Sequence, residues 1–276
     1  MKLYANNKVL DLSTPQIMGI LNFTPDSFSD SGQFFSLDKA LFHVEKMLKA
    51  GATIIDIGGE STRPMADEVS LEQELVRVIP VVEAVSYNFD CWISVDTSKS
   101  EVMKAAAQVG MDLINDIRAL REENALKTAV QLDLPVCLMH MQGEPRTMQN
   151  APQYDDVVTE VFSFLQQRTA ECIQAGVRKE NIIWDMGFGF GKTVEHNYKL
   201  LQNLPHFCTA GLPVLAGLSR KSMIGAVLNK TVDQRMIGSV AGALIAAMNG
   251  AKILRVHDVD ETADALKIWQ ETQQYI

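Results

Sequence analysis

The sequence is short of several things at once. Only four cysteines occur in 276 residues, and no two of them form a CxxC pair. Spacing of this kind offers no disulfide framework, so Cys91, Cys137, Cys172 and Cys208 read as reduced thiols of a cytoplasmic protein. The five histidines do not flank them at ligand spacing, and a zinc site is not expected. No apolar run is long enough to span a bilayer. The start, MKLYANNKVLDLST, has neither an apolar core nor a cleavage-like site, so no secretory leader is expected. Positive charge is in deficit, with 25 Lys and Arg against 34 Asp and Glu. An acidic surface argues against a nucleic-acid or membrane partner. Any anionic ligand must then be held by local cations and not by the overall field. No Pro/Gly/Ser-rich linker divides the chain, and residues 1–276 read as one domain.

What is present is a rhythm. Amphipathic stretches end in Gly and are followed by short apolar, β-branched runs, as in KAGATIIDIGG, QVGMDLINDI, QAGVRKENIIWD, TAGLPVLAG and MNGAKILRVH. Gly suits a helix C-cap because the residue there takes positive φ. A short run that is apolar on both sides reads as a parallel strand buried on both faces. Eight such strands are predicted: 17–20, 54–57, 92–95, 113–115, 136–139, 182–184, 214–216 and 253–256. Helical patterns separate them, with Leu37, Leu41, Val44 and Leu48 on one face. Ser70 with Gln73, and Ser98 with Glu101, have the spacing of capping boxes. Eight strands alternating with helices predict a (β/α)8 TIM barrel, and hydrophobic residues at 47% of the chain can fill its core. The alternative is a doubly wound open sheet, against which no GxGxxG follows the first strand.

In such a barrel the C-terminal strand ends share one face and build the site. Nearly every predicted strand here ends in polar groups: Asn22; Glu60, Thr62 and Arg63; Asp96; Asn115; His140; Asp185; Ser219, Arg220 and Lys221; Arg255 and His257. Asp96, Asn115 and Asp185 could meet the N–H edge of an amidine-like heterocycle, since carboxylates at a barrel mouth need partners to stay ionised. The plainer reading makes Asp96 a helix cap and Asp185 the start of a turn. Arg63, Arg220, Lys221, Arg255 and His257 form a cationic set suited to a phosphate. In DMGFGFGKT, glycine-rich but without Walker spacing, Phe190 reads as an aromatic wall. Met139 closes an apolar strand, for a ligand or for plain packing. The long loops NFTPDSFSDSGQFF and GGESTRPMADE are candidates for closing over a substrate.

The segments GILNFTPDSFSD, IIDIGGESTRP, WISVDTSKSEV, INDIRAL, VCLMHMQGEPRTM, MGFGFGKT, LAGLSRKSMIG and ILRVHDV together resemble the bacterial dihydropteroate synthases, over Ile17 to Asp258. The resemblance implies a cytoplasmic homodimer of the folate pathway and a sulfonamide target. It implies joining of 6-hydroxymethyl-7,8-dihydropterin diphosphate to 4-aminobenzoate, with release of diphosphate and 7,8-dihydropteroate. By the same analogy Asp96, Asn115 and Asp185 read the pterin edge, Lys221 reaches its carbonyl and ring nitrogen, and Met139 and Arg255 sandwich the ring. Asn22, Thr62, Arg63, Arg255 and His257 receive the diphosphate, with Asn22 also reaching Mg²⁺. Phe28, Thr62, Pro64, Phe190, Arg220 and Ser222 surround the aminobenzoate, Ser222 near a helix N-terminus. Asp96, Asp185, Lys221 and Arg255 form the catalytic set. Met186 stands where the family usually has Pro, and Ser31 with Phe34 and Phe35 makes the first loop atypical.

Three other readings remain open on the sequence: a Schiff-base lyase using Lys221, a folate-dependent methyltransferase of the related pterin-binding group, and a pterin-binding protein without turnover. The methyltransferase should lack the LSRKS segment and the long first loop. Two further expectations concern assembly. The small residues of GSVAGALIAAMNG are expected at a dimer interface, with packing against the barrel's own strands as the alternative. Arg63, Arg255 and His257, without an anion, are expected to repel one another and hold the two loops open, so that 4-aminobenzoate follows the pterin diphosphate.

Overall fold

The computed structural model describes residues 1–23, 33–60, 69–143, 148 and 152–275, with side chains of 33–36 left aside. In chain order the elements are β1 (Lys2–Ala5), β2 (Lys8–Asp11), β3 (Gln16–Asn22), α1 (Gln33–Ala50), β4 (Ile54–Gly58), α2 (Leu71–Asn88), β5 (Trp92–Asp96), α3 (Ser100–Gln108), β6 (Leu113–Asp116) and α4 (Ala125–Leu132). They continue with β7 (Val136–Met139), α5 (Val157–Ala175), β8 (Ile182–Asp185), α6 (Val194–Gln202), α7 (Leu204–Cys208), β9 (Val214–Ala216), α8 (Ser222–Leu228), α9 (Met236–Met248), β10 (Ile253–Val256) and α10 (Val259–Gln273).

Strands β3 to β10 close on themselves as a parallel barrel, β10 pairing with both β3 and β9. The open-sheet alternative is thereby excluded. All eight predicted strands are these eight, each within two residues of its expected ends. The reason is burial: β4, β5, β6, β7, β8 and β9 are buried at every position, between helices outside and packed side chains inside. The glycines that punctuate the rhythm behave as the pattern requires. Gly51, Gly110, Gly176, Gly211 and Gly250 all have positive φ. At Gly176, φ 114°, the reversal lets its N–H return to the end of α5 at Cys172 and Ile173.

Ser70 and Gln73 do form a capping box on α2. Ser98 and Glu101 do not: α3 starts at Ser100 with Lys99 at its N-cap, and the Ser98 hydroxyl donates to buried Asp116 instead. The competing acceptor is a desolvated carboxylate, a stronger attraction than an exposed backbone amide.

One element has no counterpart among the predicted strands. The hairpin β1–β2 turns at Asn6 and Asn7, φ 47° and 67°, which is the left-handed pair that a tight hairpin needs. It closes the barrel bottom, where Lys8 Nζ donates to Asp112 Oδ2 and to the Cys91 carbonyl, each at 2.8 Å. The opposite end, where the strands finish, is left to the site. All four cysteines are free. Among the described residues no helix is long and apolar enough to cross a membrane.

Candidate active site at the barrel mouth

The site is built from the inside of the barrel upward. Asp56, in the middle of β4, is fully buried. Its Oδ1 accepts from the Ser94 hydroxyl on β5 at 2.6 Å, and both its oxygens accept from Asn115 Nδ2 on β6 at 3.3 Å. Its Oδ2 accepts from Arg255 Nε on β10 at 2.6 Å. Arg255 continues to the next carboxylate, its Nη2 donating to Asp96 Oδ2 at 2.9 Å. One guanidinium therefore links β10 to β4 and β5 across the mouth, using the two-pronged geometry that Arg alone offers. Asp185, at the end of β8, stands nearby: a methyl added at Gly217 would lie 3.8 Å from both Arg255 and Asp185 Oδ2.

Electrostatics follow from burial. Burial pushes the Asp96 carboxyl up to about 7, Arg255 pulling against it and Asp56 adding to it. Burial raises Asp185 as well, offset by Lys221 and by the hydrogen bond from Gly187. Burial lowers Lys221 to about 8, with Asp185 opposing and Arg255 reinforcing the shift. Burial works against the charge on Arg255, but Asp56 and Asp96 more than compensate and hold it firmly cationic. Three carboxylates and two cations thus share one desolvated space, and the charge balance leaves room for a polar heterocycle with N–H donors and a carbonyl.

Lys221 Nζ donates to the Phe188 carbonyl and lies 4.6 Å from the centroid of the Phe190 ring. Phe190 packs with Met139, Met141 and Met148, all buried, with Ile117 against them. This cluster is an apolar wall, so the packing role considered for Met139 is present beside the site. Asp185 does begin a turn, accepting from Gly187 N at 2.7 Å. Asp96 does not cap a helix; Arg255 takes it.

The remaining candidates divide. Asn22 ends β3 in register with Gly58, itself in register with Asp96. Ser219 and His257 face each other, Oγ to Nδ1 at 3.0 Å. Arg220 is turned to Asp258, to which its Nε donates at 3.1 Å. Ser222 is the first residue of α8, as its expected place near a helix N-terminus requires. Phe28, Thr62, Arg63 and Pro64 lie outside the described residues, as does Ser31. The expectation of an unbalanced cation cluster is corrected at Arg255, which has two carboxylate partners. Met186 is fully buried, and the turn after it retains its Asp185 bond.

Two residues escaped the sequence reading. Asp56 lies mid-strand and not at a strand end, and a lone carboxylate among isoleucines in IIDIG is its signal in the sequence. Lys192 of the GKT segment is 3% exposed and surrounded by acceptors.

Residues 18–257 match the family described as "Pterin binding enzyme". The dihydropteroate synthase of Haemophilus influenzae is 76% identical over 272 residues, covering 99% of both chains. The crystal structure of the Yersinia pestis dihydropteroate synthase in complex with a sulfonamide drug superposes with a TM-score of 0.95 at 56% identity, covering 99% of this chain and 100% of that one. The Xanthomonas albilineans enzyme in complex with 7,8-dihydropteroate gives 0.91 at 46% identity, covering 99% of each chain.

Proposed function

The chain belongs to the pterin-binding enzyme family, and on that footing we propose how its barrel mouth carries out the dihydropteroate synthase reaction. It is a transferase that joins 6-hydroxymethyl-7,8-dihydropterin diphosphate to 4-aminobenzoate, releasing diphosphate and 7,8-dihydropteroate. The observation that carries the assignment of roles is the buried Asp56–Arg255–Asp96 chain with Asn115, Asp185 and Lys221 around it.

The pterin lies in this pocket. Its amidine-like edge donates to Asp96 and Asp185, with Asn115 beside them, and its carbonyl and ring nitrogen take the Lys221 ammonium. Met139 and Arg255 cover its two faces, the guanidinium stacking on the ring. Asp56 holds Arg255 and Asn115 in place from below. The diphosphate points outward to Asn22, Thr62, Arg63 and His257. The aminobenzoate stands against Phe190 and Ser222, with Phe28, Thr62, Pro64 and Arg220 around it.

Carbon–oxygen cleavage places positive charge on the pterin methylene carbon, which the dihydropterin ring delocalises. Asp96 and Asp185, desolvated beside the ring, stabilise that charge as it develops. The aniline nitrogen of aminobenzoate is neutral at pH 7 and adds to the carbon without a strong general base, then loses its proton to solvent. Asn22 fits Mg²⁺ as a neutral oxygen donor, because this ion keeps most of its waters and takes phosphate oxygens for the rest. When bound, Mg²⁺ supplies neutralisation of the leaving diphosphate.

Lys221 Nζ donates to the Phe188 carbonyl and lies over the Phe190 ring, surroundings that suit a cation and disfavour the Schiff-base reading. A folate-dependent methyltransferase is disfavoured by the LSRKS segment and the first loop, and binding without turnover by the filled constellation. The protein acts in the cytoplasm as a homodimer. The small residues Gly242, Ala243, Ala246 and Ala247 of α9 face inward, and a methyl at Gly242 would stand 2.5 Å from Leu218. The outer face of α9 carries Ile237, Ile245 and Met248, exposed at 70%, 45% and 59%, and that face is the dimer surface. Incubation with both substrates and Mg²⁺ tests the activity: 7,8-dihydropteroate and diphosphate should appear in equal amounts, and their absence would contradict it.

A further inference from the structure

Loop 186–192, between β8 and α6, carries Phe190 and follows directly on Asp185. Its backbone is unusual in three places, Gly187, Gly189 and Gly191, all with positive φ. At Gly187 the loop passes so close to β7 that an added methyl would stand 1.9 Å from the His140 carbonyl oxygen. Only glycine permits that approach. The approach also crowds carbonyl dipoles, and a single atom relieves the crowding. Lys192 Nζ donates to the carbonyls of Gly187 at 2.9 Å, Phe190 at 3.0 Å and His140 at 3.3 Å, and meets His140 Nδ1 at 3.0 Å. Four acceptors converge on one nitrogen, and three of them are carbonyl oxygens that can only accept. That arrangement calls for three N–H donors, the full complement of an ammonium.

We propose that Lys192 is a positioning residue for the reaction: its buried ammonium fixes loop 186–192 against the end of β7, and thereby sets where Asp185 and Phe190 face the substrates. The proposal rests on the roles given above to Asp185 and Phe190. Two links transmit the effect. Gly187 receives Lys192 on its carbonyl and donates its N–H to Asp185 Oδ1 at 2.7 Å, so the cation and the pterin-edge carboxylate hold the same peptide unit from two sides. Phe190 receives Lys192 on its carbonyl while its ring lies under Lys221. Asn197 adds a second tether, accepting from Gly189 N at 2.7 Å. The reach of a 1 Å error in such a frame is large, since misplacement on that scale can reduce a rate about 100-fold.

The charges around the pair act in both directions. Burial takes His140 down to about 2, with Lys192 and Arg121 adding to the effect, so the ring is neutral, and in its Nε2-protonated tautomer Nδ1 accepts from the Lys192 ammonium. The rings of Phe164 and Tyr154 stand around His140, centroids at 5.0 and 6.1 Å. Burial lowers Lys192 well below the usual lysine range, Asp185 opposing the shift and Lys221 reinforcing it. The carbonyls of Gly187, Phe190 and His140 offset that desolvation by direct contact and Asp185 by its charge, and Lys192 in turn favours the ionised carboxylate.

Two measurements test the assignment. The first uses the unaltered enzyme: ¹⁵N NMR of the His140 ring should show Nδ1 as an unprotonated acceptor and Nε2 protonated, unchanged from pH 5 to 9. A protonated Nδ1, or titration within that range, would overturn the ammonium staple. The second compares Lys192→Met with Lys192→Gln in steady-state and single-turnover kinetics, each rate referred to folded protein. Lys192→Met should lower the single-turnover rate at saturating substrates at least tenfold and raise both KM values. Lys192→Gln, which keeps two N–H donors, should fall between Met and wild type. If both variants lose only thermal stability and the folded fraction reacts at the wild-type rate, the residue is structural and the proposal is wrong. If neither variant folds, the NMR result decides. An unaltered enzyme that forms no dihydropteroate would instead defeat the functional reading, leaving the His140 measurement to judge the staple separately.

Discussion

Arg255 Nε donates to Asp56 Oδ2 at 2.6 Å. The two residues are 199 positions apart in sequence, and the bond crosses the barrel mouth from β10 to β4. Asp56 is fully buried and Arg255 nearly so. Removing one partner of a buried pair costs about 3–5 kcal/mol when a charge is left uncompensated; Asp96 still holds Arg255 here, so the loss should lie toward the lower end. Asp56→Ala should therefore lower thermal stability clearly, and should also free Arg255 from the position proposed for it over the pterin. Differential scanning calorimetry and pterin titration of the same variant check both halves.

Lys221→Ala should weaken pterin binding by about 10- to 100-fold. The Lys221 ammonium feels the Asp185 charge and, in the placement proposed above, donates to the pterin acceptors; a charged hydrogen bond is worth about 1.5–3 kcal/mol. Calorimetry with a diphosphate-free pterin isolates this contact from the phosphate contacts. Unchanged affinity would remove Lys221 from the pocket.

The dependence of kcat/KM on pH should be bell-shaped. Asp96, raised by burial to about 7, is a carboxylate above that pH and neutral below it, so activity falls as the pH drops through about 7. Lys221, lowered by burial to about 8, is a cation below that pH and neutral above it, so activity falls as the pH rises through about 8. These limbs belong to the free enzyme, which is what kcat/KM reports. Lys221→Met should abolish the alkaline limb and leave the acidic one, measured with pterin diphosphate as the varied substrate.

Chelation of Mg²⁺ should abolish turnover and leave binding of the diphosphate-free pterin nearly intact. In the role proposed above Asn22 is a single neutral donor, so the ion is expected to depend on the diphosphate for its other ligands. A reaction that proceeds without metal would contradict that role.

Much of this architecture was legible in the sequence, for a physical reason. A strand buried on both faces must be apolar throughout, and a helix that reverses into it favours glycine at its end; both constraints act locally and leave local marks. The end of each strand is where polarity becomes affordable, which is why Asp96, Asn115, Asp185, Lys221 and Arg255 stood out. Asp56 did not, because its partners come from β5, β6 and β10 and no short window contains them. Lys192 was hidden for the same reason: its acceptors are backbone carbonyls, which no side-chain pattern records. The β1–β2 hairpin was obscured by its brevity, four residues a side, although Asn6-Asn7 marks its turn. Arg220 was legible as a cation but its commitment to Asp258 was not, since that bond depends on how the ends of β9 and β10 meet.

In the reaction proposed above, Asp96 does more than hold the pterin: it stabilises the positive charge that develops as diphosphate leaves. The direct measurement is the single-turnover rate of Asp96→Asn at saturating pterin diphosphate and aminobenzoate, with pterin affinity determined alongside. Asparagine is nearly the same size as aspartate but carries no charge, so the account predicts a rate at least tenfold below wild type even when the site is full. A variant that binds pterin more weakly yet turns over at the wild-type rate once saturated would contradict it.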